Sequence, residues 1–383
     1  MRIAIVHSFY SRDVPSGENS IVDMSVQTLL AAGHDVEVFA RHTDDLQHSS
    51  LYELKSGLRV ATGIGASPSR ELRVFNPEIV HVHNLFPNFG TRWLKEWRDR
   101  LVSTIHNFRP ICANGLLFRD GHVCLECPGG SQISSLRHAC YRDSRAATLP
   151  ITARNFGGLH HDPVFSQSAR IIVLSDMARD IFSRFGGALE RMVVVANGVP
   201  VNQQLTAGRS NGRWLAVGRL TAEKGIAELA RCWPESLSLD IVGDGPLADE
   251  IRAAHFSSVN LLGPLERGEL LATMQQYEGL VFPSVCLEMQ PTSVIEAMAV
   301  GLPVVALAGN AGADLVTRFG AGQVYSGPDD LEHQLLRASQ NRGALASAGQ
   351  TAYRRLYAPE RWLSTIERLY TRVTEEAKGI GAS

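Results

Sequence analysis

Short apolar, β-branched runs alternate with helix-length segments through both halves of the chain, and this alternation constrains the fold more than any other feature. In the first half the runs are Arg2–Val6, Asp35–Phe39, Ile79–His83, Leu101–Ile105, Ile171–Leu174 and Met192–Ala196. In the second half they are Trp214–Val217, Leu239–Val242, Val259–Leu262, Gly279–Phe282, Val304–Leu307 and Gly322–Tyr325. Such strands, each followed by a helix, build parallel sheets covered on both faces. At 383 residues the chain exceeds one ordinary core and predicts two domains. Between the halves, residues 197–212 are polar and broken by glycine and proline, the composition of a linker. The expectation is an α/β protein with a doubly wound domain over 1–196, a linker over 197–212 and a second doubly wound domain over 213–358. A ligand then lies in a cleft facing the carboxyl ends of the strands. Residues 48–72 carry the least legible pattern of the first half.

Composition narrows the class of partner. Hydrophobic content of 44% with 20% charged residues describes a soluble globular chain. A net charge of -2 gives no reason to expect nucleic acid. No apolar run reaches the roughly 18 residues of a membrane span. The stretch Met1–Val6 is too short for a signal peptide and reads as a first strand. A cytoplasmic location follows as an expectation, which argues against structural disulfides among the six cysteines.

The segment from Cys286 to Ala306 carries two carboxylates, Glu288 and Glu296, around a helix start. Pro291 can begin a helix because its missing N–H would be unpaired there. Gly301 stops that helix, and Pro303 prevents its resumption before Val304. Glu288 therefore sits in the preceding loop, and Glu296 projects from the second turn. Backbone N–H groups at the positive end of the helix lie between them, suited to phosphate or sugar hydroxyls. A nucleotide sugar combines both.

Two further strand-to-helix junctions lie upstream. Gly218-Arg219-Leu-Thr-Ala-Glu-Lys224-Gly225 follows the strand ending at Val217, and Arg219 and Lys224 can both reach an anion over the strand end. It lacks the spacing of a Walker phosphate loop. Gly243-Asp-Gly245-Pro246 follows the next strand, its glycines permitting close backbone approach to a ligand. Either junction alone reads equally as an ordinary solvated turn.

In their order, Gly218-Arg219…Lys224, Gly243-Asp-Gly-Pro246 and Glu288…Glu296 resemble the donor-binding domain of glycosyltransferase family 4, retaining enzymes of two-domain GT-B fold. Bacterial surface-polysaccharide glycosyltransferases are among those it resembles. Val195-Ala-Asn-Gly-Val199 is similar to the family's turn into its linker, and the resemblance covers most of the chain. It implies that Arg219 and Lys224 hold the donor diphosphate and offset charge on the leaving group. Glu296 would accept from the ribose and Glu288 from sugar hydroxyls, with the backbone of Gln290, Pro291, Thr292 and Ser293 supporting the sugar. Met289-Gln290-Pro291 departs from the Gly-Phe-Gly triplet common after the first glutamate. A helix near Pro359–Glu376, within a C-terminal segment over 359–383, would cross back to the first domain.

In the first half, Gly17 opens a helix after the first strand, where backbone N–H groups could meet donor phosphates, and the family carries a glycine loop there. Glu18 and Asn19 are further candidates to touch donor or acceptor. His106 ends the strand Leu101–Ile105; by itself such a histidine is more often structural, but the family carries one beside the anomeric centre. His81 and His83 alternate onto one face of their strand and read equally as core residues. No Asp-x-Asp element occurs, so a nucleotide-bound metal is not implied; Arg219 and Lys224 take the cation's place.

Cys112, Cys124, Cys127 and Cys140 cluster in sequence, and Cys124-x-x-Cys127 matches a zinc hairpin. A structural zinc held by all four, with His122 and His138 as substitute ligands, stands beside the alternative of free buried thiols. The segment would wall the acceptor pocket. Ala61-Thr-Gly-Ile-Gly-Ala66 imitates a dinucleotide fingerprint but does not follow the first strand. Trp93 and Trp97 lie four apart in a basic segment that either covers its own sheet or touches an anionic membrane.

The sequence thus predicts transfer of a sugar from a nucleotide diphosphate donor to a carbohydrate or lipid-linked hydroxyl, with at most peripheral membrane contact, in the cytoplasm or at the inner face of the membrane. The rivals are a nucleotide-sugar epimerase, a sugar phosphorylase, or a nucleotide-sugar-binding regulator without turnover.

Overall fold

The computed structural model describes residues 1–10, 17–201 and 210–380. The chain divides into two compact units: residues 1–117, 124–198 and 359–383 form one, and residues 118–123 and 199–358 form the other. The change of unit falls at Gly198/Val199, inside the expected linker, whose residues 202–209 lie outside the described residues.

Unit 1 is built on a six-stranded parallel sheet. Its strands are β1 (Arg2–Phe9), β2 (Asp35–His42), β3 (Ile79–Asn84), β4 (Leu101–Ile105), β7 (Arg170–Val173) and β8 (Met192–Val194), in the order β2-β1-β3-β4-β7-β8. A small hairpin of β5 (Phe118–Arg119) and β6 (His122–Val123) follows β4 in the chain. Unit 2 carries β9 (Arg213–Val217), β10 (Ser238–Val242), β11 (Val259–Gly263), β12 (Gly279–Phe282), β13 (Val304–Leu307) and β14 (Gly322–Tyr325), in the order β11-β10-β9-β12-β13-β14. In both sheets the order reverses once, between β1 and β3 and between β9 and β12. Crevices at such reversals are where open α/β sheets bind ligands. The expectation of two doubly wound, Rossmann-like domains is met.

The central strands are core, while the edge strands β2 and β11 are partly exposed. Ile3, Ala4, Ile5 and Val6 of β1 and Val304, Val305 and Ala306 of β13 are wholly buried, as strands covered on both faces require. Trp214 anchors the centre of unit 2 among Leu220, Ile226, Leu239, Val281 and Leu331. The long Pro359–Ile380 helix belongs to unit 1 and buries Trp362, Ile366, Leu369, Tyr370 and Val373, a single stripe at helical spacing. Trp93 and Trp97 are also buried, on the 3₁₀ segment Arg92–Arg100 beside β4. They pack inward and do not form a membrane-facing surface. Among the described residues, no helix is long and apolar enough to cross a membrane.

Candidate functional site

In unit 2 the chain leaves β9 through Gly218 into the turn Ala222–Lys224, and Gly225 then adopts φ +65 to start the Ile226–Arg231 helix. A Cβ at Gly225 would lie 2.3 Å from the Pro283 carbonyl, so the turn sits tightly against the end of β12. Contact with β12 brings Lys224 to Glu288: Nζ to Oε1 is 2.7 Å. Ser284 Oγ donates to the same carboxylate oxygen at 2.7 Å. Asn310 fixes that corner, donating to the Ser284 carbonyl at 2.8 Å while capping its own helix through Ala313 N–H.

Arg219 lies in the same loop after β9. Its guanidinium is 61% exposed and is held by Glu223, 3.3 Å from Nη2. Glu223 itself is buried, takes a hydrogen bond from Thr221 at 2.7 Å, and receives Val285 N–H on its carbonyl at 3.0 Å. A cation free to meet solvent is thus oriented by a carboxylate that is not.

Gly243 and Gly245 have φ +150 and +156. Added Cβ atoms would lie 1.9 Å from the Gly218 carbonyl and 2.6 Å from the Leu220 carbonyl. Leu220 N–H donates to the Asp244 carbonyl at 2.9 Å, and Leu247 N–H donates to the Leu220 carbonyl at 3.0 Å. The close approach expected of these glycines is therefore to the Gly218–Leu220 loop, which they lock in place. That is a second reason for glycine beyond ligand access.

The Thr292–Val300 helix begins after Pro291, which stands at the N-cap, one residue earlier than a first-turn position, and ends at Gly301 with φ +73. Glu296 is buried on this helix, and Arg267 Nε donates to it at 2.8 Å. Arg267 Nη2 also reaches the Pro200 carbonyl at 2.9 Å. Burial raises the Glu296 carboxyl above its ordinary range, and Arg267 opposes that rise. Gln290, Thr292 and Ser293 lie at the helix entry with Pro291.

In unit 1 two His-Asn dipeptides end neighbouring strands, His83-Asn84 at β3 and His106-Asn107 just past β4. The two rings meet: His83 Nδ1 and His106 Nε2 are 3.0 Å apart, with ring centroids 5.3 Å apart and stacked. The two asparagines act alike. Asn84 Oδ1 accepts Phe86 N–H at 2.9 Å, and Asn107 Oδ1 accepts Arg109 N–H at 3.0 Å. Both side-chain amides hydrogen-bond the carboxyl of Glu18, one residue into the Gly17–Ala31 helix. Burial lifts Glu18 to about 7, against Arg109 and the two amides. A pocket here is lined by His83, Asn84, His106, Asn107, Arg109 and Arg154 among others. The Arg109 guanidinium lies 4.4 Å from the Phe86 ring centroid and 5.4 Å from that of Tyr141. Arg154 is neutralised by buried Asp162 at 2.8 Å.

Two family models divide the chain: Glycosyltransferase Family 4 matches residues 16–203, and Glycosyl transferases group 1 matches residues 211–348. This chain is a glycosyltransferase. No curated protein matches it in sequence. Among solved structures, sucrose-phosphate synthase from Thermosynechococcus elongatus superposes with TM-score 0.65 at 16% identity over 100% of both chains. The lipopolysaccharide outer core galactosyltransferase WaaB, in apo form, gives 0.62 at 14% identity over 97% of this chain and 100% of its own. Anabaena Alr3699/HepE in complex with UDP gives 0.61 at 16% identity over the same shares. At these identities the likeness carries the fold, GT-B, and the chemistry must be argued from the site.

None of the six cysteines of the glycosyltransferase is in a disulfide. Cys112 Sγ lies 2.9 Å from Asn114 Oδ1, and the Cys127 thiol is pushed up to about 12 by burial and by the neighbouring Cys112, Cys140 and Cys124. The four sulfurs thus share a neighbourhood. Among the described residues, however, no group of three or more His, Cys, Asp or Glu is arranged to hold a metal ion. His122 and His138 are engaged elsewhere, with the Asp120 carbonyl and Glu126.

Sequence reasoning missed Glu223, Ser284, Asn310 and Arg267 in unit 2, and Asn84, Asn107 and Arg109 in unit 1. The repeated His-Asn at two strand ends was a readable signal. The others show themselves only through burial and pairing.

Proposed function

We propose that the glycosyltransferase retains anomeric configuration and moves a sugar from a nucleoside diphosphate sugar to a hydroxyl of a carbohydrate or lipid-linked acceptor, in polysaccharide or glycoconjugate synthesis. The observation that carries this reading is the Lys224–Glu288 pair at 2.7 Å, with Arg219 in the same loop and held by Glu223, at the point where strand order reverses between β9 and β12. Lys224 keeps two further N–H donors for a diphosphate, and the exposed Arg219 supplies a second cation. Glu288 accepts from sugar hydroxyls and Glu296 from the ribose. The backbone at Gln290–Ser293 supports the sugar. In unit 1, Gly17 and His106 belong to the same reading, and the pocket at Asn84 and Arg109 receives the acceptor.

In the reaction the bond from the anomeric carbon to the phosphate oxygen breaks, its electron pair leaving with the nucleoside diphosphate. The acceptor oxygen bonds to that carbon on the same face, and its proton passes to the departing phosphate oxygen. Arg219 and Lys224 stabilise the developing negative charge. Glu288 and Glu296 are binding groups, unlike the acid/base carboxylates of glycosidases. The complexes of Alr3699/HepE with UDP and with UDP-glucose make uridine diphosphate sugars the first donors to try.

The test is product analysis by NMR with a panel of nucleotide sugars and hydroxyl acceptors. The reading expects acceptor-dependent donor consumption and a product with the donor's anomeric configuration. Donor converted to its epimer without an acceptor, or an inverted product, contradicts it. Two further expectations are carried as proposals. The protein works in the cytoplasm or at the inner face of the membrane. The four neighbouring thiols hold a structural zinc once their sulfurs close on the metal. Elemental analysis showing one zinc per chain supports the latter, and metal-free protein of unchanged stability removes it.

A further inference from the structure

Four imidazoles gather at the carboxyl ends of β1, β3 and β4: His7, His81, His83 and His106. His81 uses both nitrogens, Nδ1 with Tyr370 Oη at 2.7 Å and Nε2 with Thr104 Oγ1 at 2.7 Å. Its ring lies along that of His83, with centroids 4.2 Å apart and planes 30° apart, and so fixes the plane of the second ring. His7 closes the cluster edge-on to His83, centroids 6.4 Å apart. Only His106 of the four lines the pocket together with His83.

The two nitrogens of His83 differ. Nδ1 faces His106 Nε2 at 3.0 Å, whereas Nε2 is buried with no partner among the described residues. A buried N–H without an acceptor is among the costliest polar defects, while a bare lone pair costs less. The proton of neutral His83 therefore belongs on Nδ1. From there it can only be donated to Nε2 of His106.

We infer that His83 is a positioning residue that fixes His106 as its Nδ1–H tautomer, so that His106 meets the substrate as a hydrogen-bond donor and not as a base. With Nε2 occupied by His83, the proton of neutral His106 resides on Nδ1, on a ring that lines the pocket. A donor in that place binds a sugar hydroxyl or ring oxygen and leaves proton removal to another group, consistent with a phosphate oxygen in that role. Burial holds both rings neutral: His106 is lowered to about 3, further pressed by His7 and His81, and His83 lies well below its ordinary value. Second partners of this kind commonly select the tautomer of a functional histidine.

Imidazole 15N–1H correlation spectra of labelled, full-length protein at neutral pH test this directly, with His106→Gln used to assign the signals. The expected His106 pattern is a protonated Nδ1 and a bare Nε2. A protonated Nε2, or an imidazolium, overturns the inference. Two variants address His83. In His83→Asn the side-chain amide still donates, so the tautomer persists and kcat stays within about threefold. In His83→Phe the donor is gone, so the single tautomer is lost and kcat falls about tenfold or more while the donor KM moves less than about twofold. An unchanged His106 tautomer in His83→Phe overturns the role of His83. Should the phenylalanine variant fail to fold, the wild-type spectrum and His83→Asn still decide. The kinetic arm rests on the glycosyltransfer reading and on His106 meeting the substrate, but the spectrum reports the tautomer whether or not transfer occurs, so the two failures are distinguishable.

Discussion

Glu223 illustrates how a residue can shape a site without meeting a ligand. It is buried, yet its carboxylate orients the exposed Arg219 and its carbonyl receives Val285 N–H. In the sequence it is one polar residue of a polar loop, and nothing in spacing distinguishes it from Glu228 or Glu235. Only the packing of that loop against β12 reveals the burial. Glu223→Ala should leave Arg219 unanchored and weaken donor binding about tenfold, measured by calorimetric titration. Unchanged affinity would show that Arg219 needs no such support. Glu296 differs because the sequence motif itself singles it out. What the motif did not show is Arg267, which already occupies one of its oxygens. Arg267→Ala leaves a buried carboxylate unpaired and should destabilise unit 2 by roughly 2–3 kcal/mol, read from denaturant midpoints.

At the scale of elements, all twelve sheet strands were legible because each is a short apolar run between turn residues, and the central ones are buried on both faces while the edge strands β2 and β11 stay partly exposed. Their ends were less so. The chain extends β1 to Phe9, β2 to His42 and β3 to Asn84, past the polar residues where an apolar pattern stops. The extension of β1 carries His7 and that of β3 carries Asn84, next to His83 at the end of the expected strand, so in these two strands the missed part lies at the site. Residues 48–72 resisted reading for another reason. The helix Tyr52–Thr62 exposes Leu54 and Leu58, which blurs the division into apolar and polar faces on which the pattern depends. The glycine loops make a sharp prediction. Gly243→Ala forces a Cβ to 1.9 Å from the Gly218 carbonyl at φ +150 and should cost about 2–4 kcal/mol. Gly218→Ala meets only Ile226 Cδ1 at 3.4 Å, with no positive φ, and should cost less than about 1 kcal/mol. Urea unfolding of both variants checks the contrast; equal losses would contradict the loop-locking role given to Gly243.

For the whole molecule, the buried groups set opposite limits in pH. His7 is lowered from 6.5 to about 4 and His81 and His106 to about 3, chiefly by burial. Their contribution to stability is full above 6.5, where neither state binds the proton, and is lost as pH falls toward 3 while the unfolded chain charges. Glu18, raised from 4.5 to about 7 by burial, acts the other way. Its contribution is full below 4.5 and is lost as pH rises through 7. Stability followed by urea unfolding across pH 3–8 should therefore fall on acidification from 6.5, and the loss should shrink in His81→Gln. Glu18→Gln removes the opposing contribution and should steepen the fall on acidification between 7 and 4.5. A pH profile unaltered by either change would contradict the buried-cluster description.

The central claim is that this glycosyltransferase uses the cation pair beside β12 to draw a nucleoside diphosphate away from its sugar. The most direct measurement is the rate of acceptor glycosylation from a uridine diphosphate sugar by wild-type protein and by Lys224→Ala, both shown folded by circular dichroism. Loss of the cation that stabilises the leaving diphosphate should lower kcat by about a hundredfold or more. A Lys224→Ala enzyme that transfers sugar at the wild-type rate would contradict the account.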